Sequence, residues 1–287
     1  MIDTPSHDAP AARVLRFGTS GIPRSSQRPS TEAGIRRAAE LGLGCLEMAW
    51  GNGVRMSDET ADRIAGAARE TGLHLTAHAP YFVNLCGDAE VRARSIARLV
   101  DAGRLAARCG AHSYCFHPGF YQGQDAHHAT VKVWRALLEV TARLREEGVS
   151  IDVRPELTGK PSQLGAFEDI LTWCEMIPAV HPCIDFSHHY ARLGGVPNRR
   201  EDFLGMLDEL ERRLGAAALS RLHVHIAGIE FGPSGEKRHL PLRESAFAFR
   251  ELLAALRERG VTGWAICESP ELEDDALHLL ATWESLA

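Results

Sequence analysis

Six side chains of metal-binding type recur along the sequence, each at the end of a short β-prone run: His78, His117, Glu156, Asp185, His225 and Glu268. Two more histidines fall just beyond such ends. His188 lies three residues after Asp185, and His239 sits in what reads as the loop following the seventh run. Imidazoles and carboxylates are the usual ligands of zinc-like cations, which take four or five each, so this set suffices for two or three ions with some bridging. Glu156 is the natural bridging carboxylate. A single histidine at a strand end reads as an ordinary satisfied polar group. A whole patch of carboxylates and imidazoles at one end of a fold would be costly to bury without cations. The chemistry implied is metal-assisted hydrolysis, or isomerisation in which Glu156 and Glu268 also shuttle protons.

Side chains this far apart in sequence converge only if the elements carrying them are arranged in a ring. Short β-rich runs alternate with longer amphipathic segments along the chain, eight times. The predicted strands are 14–18, 45–48, 73–78, 113–117, 150–156, 180–186, 222–226 and 264–268. Helical periodicity runs from Ala89 to Cys109, from Thr130 to Glu147 and from Ser245 to Arg259, and each segment is followed by a glycine stop at Gly110, Gly148 and Gly260. Strict alternation predicts a parallel sheet, and eight units close a (β/α)8 TIM barrel of α/β class; a doubly wound open sheet is the structural alternative. In a barrel the six strand ends meet on the face where such folds place active sites. Strand periodicity agrees, since His74, Thr76 and His78 share one face, as do Ser113, Cys115 and His117. His223 shares the face of His225 one layer deeper and is expected to support the ligands, as is His189. His127 and His128, read as preceding a helix, and His112, His181 and His278 are assigned to surface or packing. Gly18 to Pro23, Gly194 to Pro197 and Gly232 to Gly235 read as loops between strand and helix.

The remaining features bound the class. Hydrophobic residues make up 45% of the 287 and charged residues 24%, which supports one large core, so a single barrel over 13–287 is expected after a flexible tail at 1–12. That tail lacks the basic start and apolar run of a secretory signal, and every apolar run is too short to span a bilayer, so a cytoplasmic protein is expected. Seven scattered cysteines without a CxxC pair read as small buried hydrophobes. The formal charge of −6 argues against a generally basic nucleic-acid surface, although bound cations would invert the potential locally.

Longer motifs carry a resemblance. HAPYFVNL at 78–85, FHPG at 116–119, PELTGK at 155–160, CIDFSHHYARLGG at 183–195, HVHIAGIEFG at 223–232, GEKRHLPL at 235–242 and ICESP at 266–270 resemble the endonuclease IV family. This is the AP endonuclease family 2 of the xylose-isomerase-like barrels, and the likeness is greatest to its shorter archaeal-type branch. The resemblance implies a zinc-dependent hydrolase that cuts DNA 5′ to abasic sites. It implies that His78, His117 and Glu156 hold one metal, that Glu156, Asp185, His225 and Glu268 hold a second, and that His188 and His239 contribute to a third. Tyr81 and Asn84 match the loop that meets DNA near the lesion. One position departs from the pattern: where the family has an Asp two residues before the loop histidine, this chain has Lys237, with Glu236 beside it; that carboxylate reaches the third metal if the loop is rebuilt, and otherwise the third site is weak or absent.

Three functions compete at this level: an endonuclease IV-like phosphodiesterase acting on abasic DNA, a divalent-metal sugar isomerase or epimerase, and a non-catalytic barrel with a structural metal. The isomerase needs one ion held by Glu156, Asp185, His225 and Glu268 and has no evident use for His78, His117, His188 and His239 together; for the site as a whole two or three Zn²⁺ are expected, with Mn²⁺ or Mg²⁺ as alternatives. No membrane partner is expected, and the sequence sets no oligomeric state.

Overall fold

The computed structural model describes residues 14–51 and 53–286, so the expected tail at 1–12 lies outside the described residues. The strands are β1 (Leu15–Ser20), β2 (Cys45–Ala49), β3 (His74–His78), β4 (Ser113–Phe116), β5 (Asp152–Pro155), β6 (Cys183–Asp185), β7 (Leu222–Ile226), β8 (Gly228–Gly232), β9 (Gly235–Leu240) and β10 (Gly263–Cys267). The helices are α1 (Thr31–Glu40), α2 (Asp58–Thr71), α3 (Ala89–Arg108), α4 (Ala126–Glu146), α5 (Phe167–Met176), α6 (Phe186–Arg192), α7 (Arg200–Leu214), α8 (Phe249–Glu258) and α9 (Glu273–Ser285).

Eight strands form one parallel sheet in the order β5-β4-β3-β2-β1-β10-β7-β6. Its two ends meet through the bridges Val153↔Val180 and Glu156↔Cys183, with Leu157 N donating to Cys183 O at 3.0 Å. The result is a single-domain (β/α)8 barrel, as the alternation predicts. Helix exits follow the glycine rule, since Gly72, Gly110, Gly148 and Gly260 all have φ between 62° and 80°, which costs a residue without Cβ little.

Strand alternation sorts the core into two regions. Leu46, Met48, Leu75, Ala77, Tyr114, Phe116, Val153, Ile184, Val224 and Ile226 face the helices and join one continuous apolar cluster. The interior of such a barrel is ordinarily filled by branched apolar side chains. Here the inward set is mostly polar: Glu47, Thr76, His78, Ser113, Cys115, Arg154, Glu156, Cys183, Asp185, His223 and His225 are all buried. The base is closed by Arg154, whose guanidinium donates to Pro182 O and Arg221 O and lies 5.6 Å from the Trp264 ring centre.

Four local expectations change. The Gly232 to Gly235 segment is the turn of an antiparallel hairpin, β8–β9, and not a strand-to-helix loop, so His239 lies on a strand. His188 lies in the first turn of α6, because Asp185 Oδ1 accepts from His188 N at 2.7 Å and caps the helix immediately after β6. Asp125 does the same for α4, which therefore starts at Ala126 and includes His127 and His128 as exposed first-turn residues. Helix α8 starts late, at Phe249, because Ser245 is taken up by the hairpin: its hydroxyl accepts from Ile229 N at 3.0 Å. Among the described residues no helix is long and apolar enough to cross a membrane.

Candidate metal centre at the barrel mouth

The C-terminal ends of the strands bring the predicted residues together around Glu156, which is fully buried just beyond β5. His78 Nε2 lies 3.0 Å from Glu156 Oε2, while His117 Nε2 and His188 Nδ1 each lie 3.2 Å from Oε1. His225 Nδ1 stands 3.5 Å from both Glu156 Oε1 and Glu268 Oε2. Three overlapping groups result, with ligand atoms within 4.8 Å of one another: His78, His117 and Glu156; Glu156, Asp185, His225 and Glu268; and Asp185, His188, His239 and Glu268.

The donor chemistry of these groups fits divalent cations. Glu156 Oε1, Asp185 Oδ2 and His225 Nδ1 are buried without an aligned hydrogen bond, although imidazole nitrogens stand within ion-pair distance of both carboxylate oxygens. Lone pairs that converge without donors between them are the arrangement a cation satisfies. The histidines are oriented from behind in the manner of metal ligands: His78 Nδ1 bonds Ala79 O at 2.8 Å, His188 Nδ1 bonds Leu157 O at 3.0 Å and His239 Nδ1 bonds Glu268 O at 3.1 Å. Each carbonyl needs an N–H, so the proton belongs on Nδ1 and the lone pair on Nε2. The Nε2 atoms of His188 and His239 then face each other at 3.1 Å, which is repulsive for two neutral rings and favourable around a shared cation.

Electrostatics reinforce the grouping. Burial opposes charge on His78, but the carboxylates of Glu156, Glu47 and Glu268 outweigh it and hold the ring at about 9. His188 and His225 are raised well above the usual range by neighbouring anions, against the same desolvation. Burial would raise Glu268, yet His225 pulls it down to about 2, and Glu156 is likewise held well below its ordinary value by His117 and His225. Burial, aided by Glu268 and Glu156, raises Asp185 against the pull of His188.

The hairpin supplies the rest of the rim. Ser187 Oγ pins its root by donating to Ala227 O and accepting from Ala227 N at 2.9 and 2.8 Å. At the tip Gly159 and Gly235 pack against each other: a Cβ on Gly235 would meet Gly159 O at 2.4 Å, and one on Gly159 would meet the Glu236 side chain at 2.6 Å. The ladder pairs Glu230 with Arg238 but Phe231 with Glu236, so Lys237 is the extra residue of a bulge. A bulge breaks the two-residue alternation. Lys237 and Arg238 consequently both point outward, 57% and 71% exposed, and pair with Glu230 at 3.2 and 2.8 Å. Glu236 turns inward with His239, its Oε2 3.6 Å from His188 Nε2.

Tyr81 stands over the first group, its ring centre 5.3 Å from that of His78 and 6.3 Å from that of His117. It is 60% exposed, and Phe82 and Phe120 are exposed as well. Asn84 is placed differently: its Oδ1 accepts from Cys86 N and Phe120 N at 3.2 and 3.3 Å, which braces one mouth loop against the next.

Glu47, on β2, escaped sequence reasoning. Fully buried, it accepts from Thr76 Oγ1 at 3.0 Å and lies 3.0 Å from His223 Nε2 and 3.3 Å from His225 Nε2. Burial would raise its carboxyl, but His225 and His223 hold it well below the ordinary range. The signal was present: a glutamate at the inward position of the apolar run CLEMA.

A family model described as xylose isomerase-like TIM barrel, the AP endonuclease family 2, matches residues 35–286. The chain belongs to this family. An uncharacterized protein of Methanocaldococcus jannaschii is 35% identical over 95% of the chain and 98% of its own length. Endonuclease 4 of Thermus thermophilus is 29% identical, but over only 54% of the chain and 53% of the relative. Among solved structures, an endonuclease IV from Thermus thermophilus superimposes with a TM-score of 0.74 at 24% identity, covering 94% of this chain and 98% of that one. A D-tagatose 3-epimerase-like protein gives 0.73 at 18% identity, covering 95% and 97%. Two structures of differently named proteins thus match this fold about equally well, and fold alone does not fix the chemistry.

Proposed function

We propose that the chain is a metal-dependent phosphodiesterase of endonuclease IV type that cleaves DNA 5′ to abasic sites, using two or three divalent ions, with zinc favoured by the imidazole-rich ligand set. The observation that carries this reading is the rim group: His188 and His239 with facing Nε2 atoms, and Glu236 turned toward them by the bulge at Lys237. A single-ion isomerase has no use for that group. When bound, the ions would neutralise phosphate charge and activate water.

In this reading His78, His117 and Glu156 hold one ion, Glu156, Asp185, His225 and Glu268 another, and His188 and His239 with Glu236 the third. Glu156, buried and common to two of the ligand groups, would be shared between two of the ions, and Glu268, at the mouth, would offer a proton-accepting oxygen beside His225. Tyr81 fills the space of the missing base, and Asn84 keeps its loop in place. A DNA substrate within the cell accords with a cytoplasmic location. The test pairs metal stoichiometry on protein isolated without chelator with nicking of abasic against intact duplex. More than one ion per chain and abasic-selective nicking are expected; equal treatment of the two duplexes sinks the proposal.

One observation favours a second reading. Glu156, Asp185, His225 and Glu268 form a complete four-ligand set by themselves, which would serve a sugar epimerase, and the fold match to the epimerase-like protein is equally good. That reading requires one ion per chain and turnover of a ketose.

A further inference from the structure

Beneath the mouth, one layer deeper in the barrel, lies a second group of a different chemistry. Cys115 of β4, Cys183 of β6 and His223 and His225 of β7 are fully buried, with ligand atoms within 4.8 Å of one another. Sequence reading treats these cysteines as small apolar fillers, but neither belongs to the apolar clusters. Cys115 Sγ lies 3.8 Å from His225 Nε2 and 3.5 Å from Glu47 Oε2. His223 Nδ1 is 3.4 Å from Ser113 Oγ, while its Nε2 is buried and without an aligned hydrogen bond, 3.0 Å from Glu47 Oε2. Barrel interiors of this kind normally carry branched apolar residues, and two thiols with two imidazoles form instead the donor set of a closed tetrahedral site.

We propose that Cys115, Cys183, His223 and His225 form a buried thiolate–imidazole site for a thiophilic divalent cation, zinc foremost, separate from the ions at the mouth. His225 connects the two layers: its Nδ1 faces Glu156 and Glu268 above, and its Nε2 faces Cys115 and Glu47 below. Loading forms two metal–sulfur and two metal–nitrogen bonds and releases the two thiol protons to solvent, and when the mouth is loaded as well His225 also gives up its ring N–H proton and bridges the two layers as an imidazolate, with no change of oxidation state. Ser113 orients His223 from behind, as outer partners of ligating histidines do. Soft thiolates select Zn²⁺ over Mg²⁺ or Mn²⁺, whereas the mouth, built of imidazole and carboxylate, discriminates less. The lower ion would brace β4, β6 and β7 across the barrel and fix the ring plane of His225. It stands independently of the endonuclease reading, since either enzyme could carry it.

Sulfur separates this site experimentally from every group at the mouth, where no cysteine lies among the candidate ligands. X-ray absorption at the zinc edge on full-length protein isolated without chelator should show sulfur neighbours at about 2.3 Å beside nitrogen and oxygen at about 2.0 Å. A zinc-loaded protein with only nitrogen and oxygen neighbours overturns the proposal, and this measurement needs no variant to fold. Protein folded in Co²⁺ should display thiolate-to-cobalt charge-transfer absorption. Cys115→Ser and Cys183→Ser should each abolish that absorption and lower metal content by one equivalent relative to wild type. Unchanged metal content in both folded variants also overturns it.

Discussion

The mouth of the barrel has two halves built on different supports. The floor, comprising Glu156, Asp185 and His225, stands on or directly at the ends of barrel strands and is completely buried, tied to its neighbours by backbone pairing. The rim, comprising Tyr81, His117, Glu236 and His239, stands on loops and on the β8–β9 hairpin, and each of its residues is partly open to solvent. A floor on strands tolerates little error, because a shift of one residue would turn every side chain to the helices. The rim can be rebuilt without disturbing the barrel, as the bulge at Lys237 illustrates by turning one carboxylate inward and two cations outward. Variation of the loops over a fixed barrel is how one fold supports many chemistries.

The comparison breaks most decisively at Glu156. Glu156→Gln keeps the shape but removes the charge shared by two ligand groups, so activity on abasic duplex should fall by about 10³-fold or more while circular dichroism stays native. Near-normal turnover would show that the floor does not organise the centre. His188→Ala and His239→Ala test the third ligand group, whose two histidines stand on different supports, one on α6 and one on the hairpin. They should behave alike, each losing one metal equivalent and roughly 10²-fold in cleavage. Loss from only one of them means they do not share an ion.

Within the rim, Glu236→Gln should weaken the third ion by about 10–100-fold, whereas Lys237→Ala should leave metal content unchanged and cost at most about 1 kcal/mol of surface pairing. Metal titration of the two variants side by side decides whether the bulge has the role given to it; equal effects would undo it. Tyr81→Ala leaves every ligand group in place. Binding to abasic duplex should weaken by about tenfold, roughly 1.4 kcal/mol, with metal content intact, measured by anisotropy at one fixed salt concentration.

Metal removal sharpens the contrast through pH. In chelated protein His78 is held at about 9 against an ordinary 6.5, so its stabilising contribution is complete below about pH 6.5 and lost as pH rises through 9. Glu268 is held at about 2 against 4.5, so its contribution is complete above about pH 4.5 and lost as pH falls through 2. Thermal unfolding of the chelated protein should therefore weaken above neutrality. The metal-loaded protein should gain from pH 6 to 8 instead, because ligands must shed protons to bind. Parallel profiles would argue against cation binding at the mouth.

Much of this molecule is legible from residue types and their periods. Eight β-prone runs with intervening amphipathic segments specify the barrel, because each strand must bury a helix-facing apolar row and each helix must cover it. His78, His117, Glu156, Asp185, His225 and Glu268 follow from the same alternation, since a polar residue at an inward strand end has only the mouth to face. Resemblance at the level of motifs added Tyr81, Asn84, Glu236 and the departure at Lys237.

Tertiary structure decided what local pattern does not encode. The turn at Gly232 to Gly235 reads equally as a loop, and only pairing of β8 with β9 shows the extra residue that sends Lys237 out and Glu236 in. His188 joins a helix because Asp185 caps it, a hydrogen bond that competes with simple loop geometry. Glu47 and Cys115 sit in runs that read as apolar strand; their meaning depends on which residues lie across the barrel, and partners from β2, β4, β6 and β7 are brought together by closure alone. Periodicity tells a side chain which face to take. What it meets on that face is a property of the closed ring.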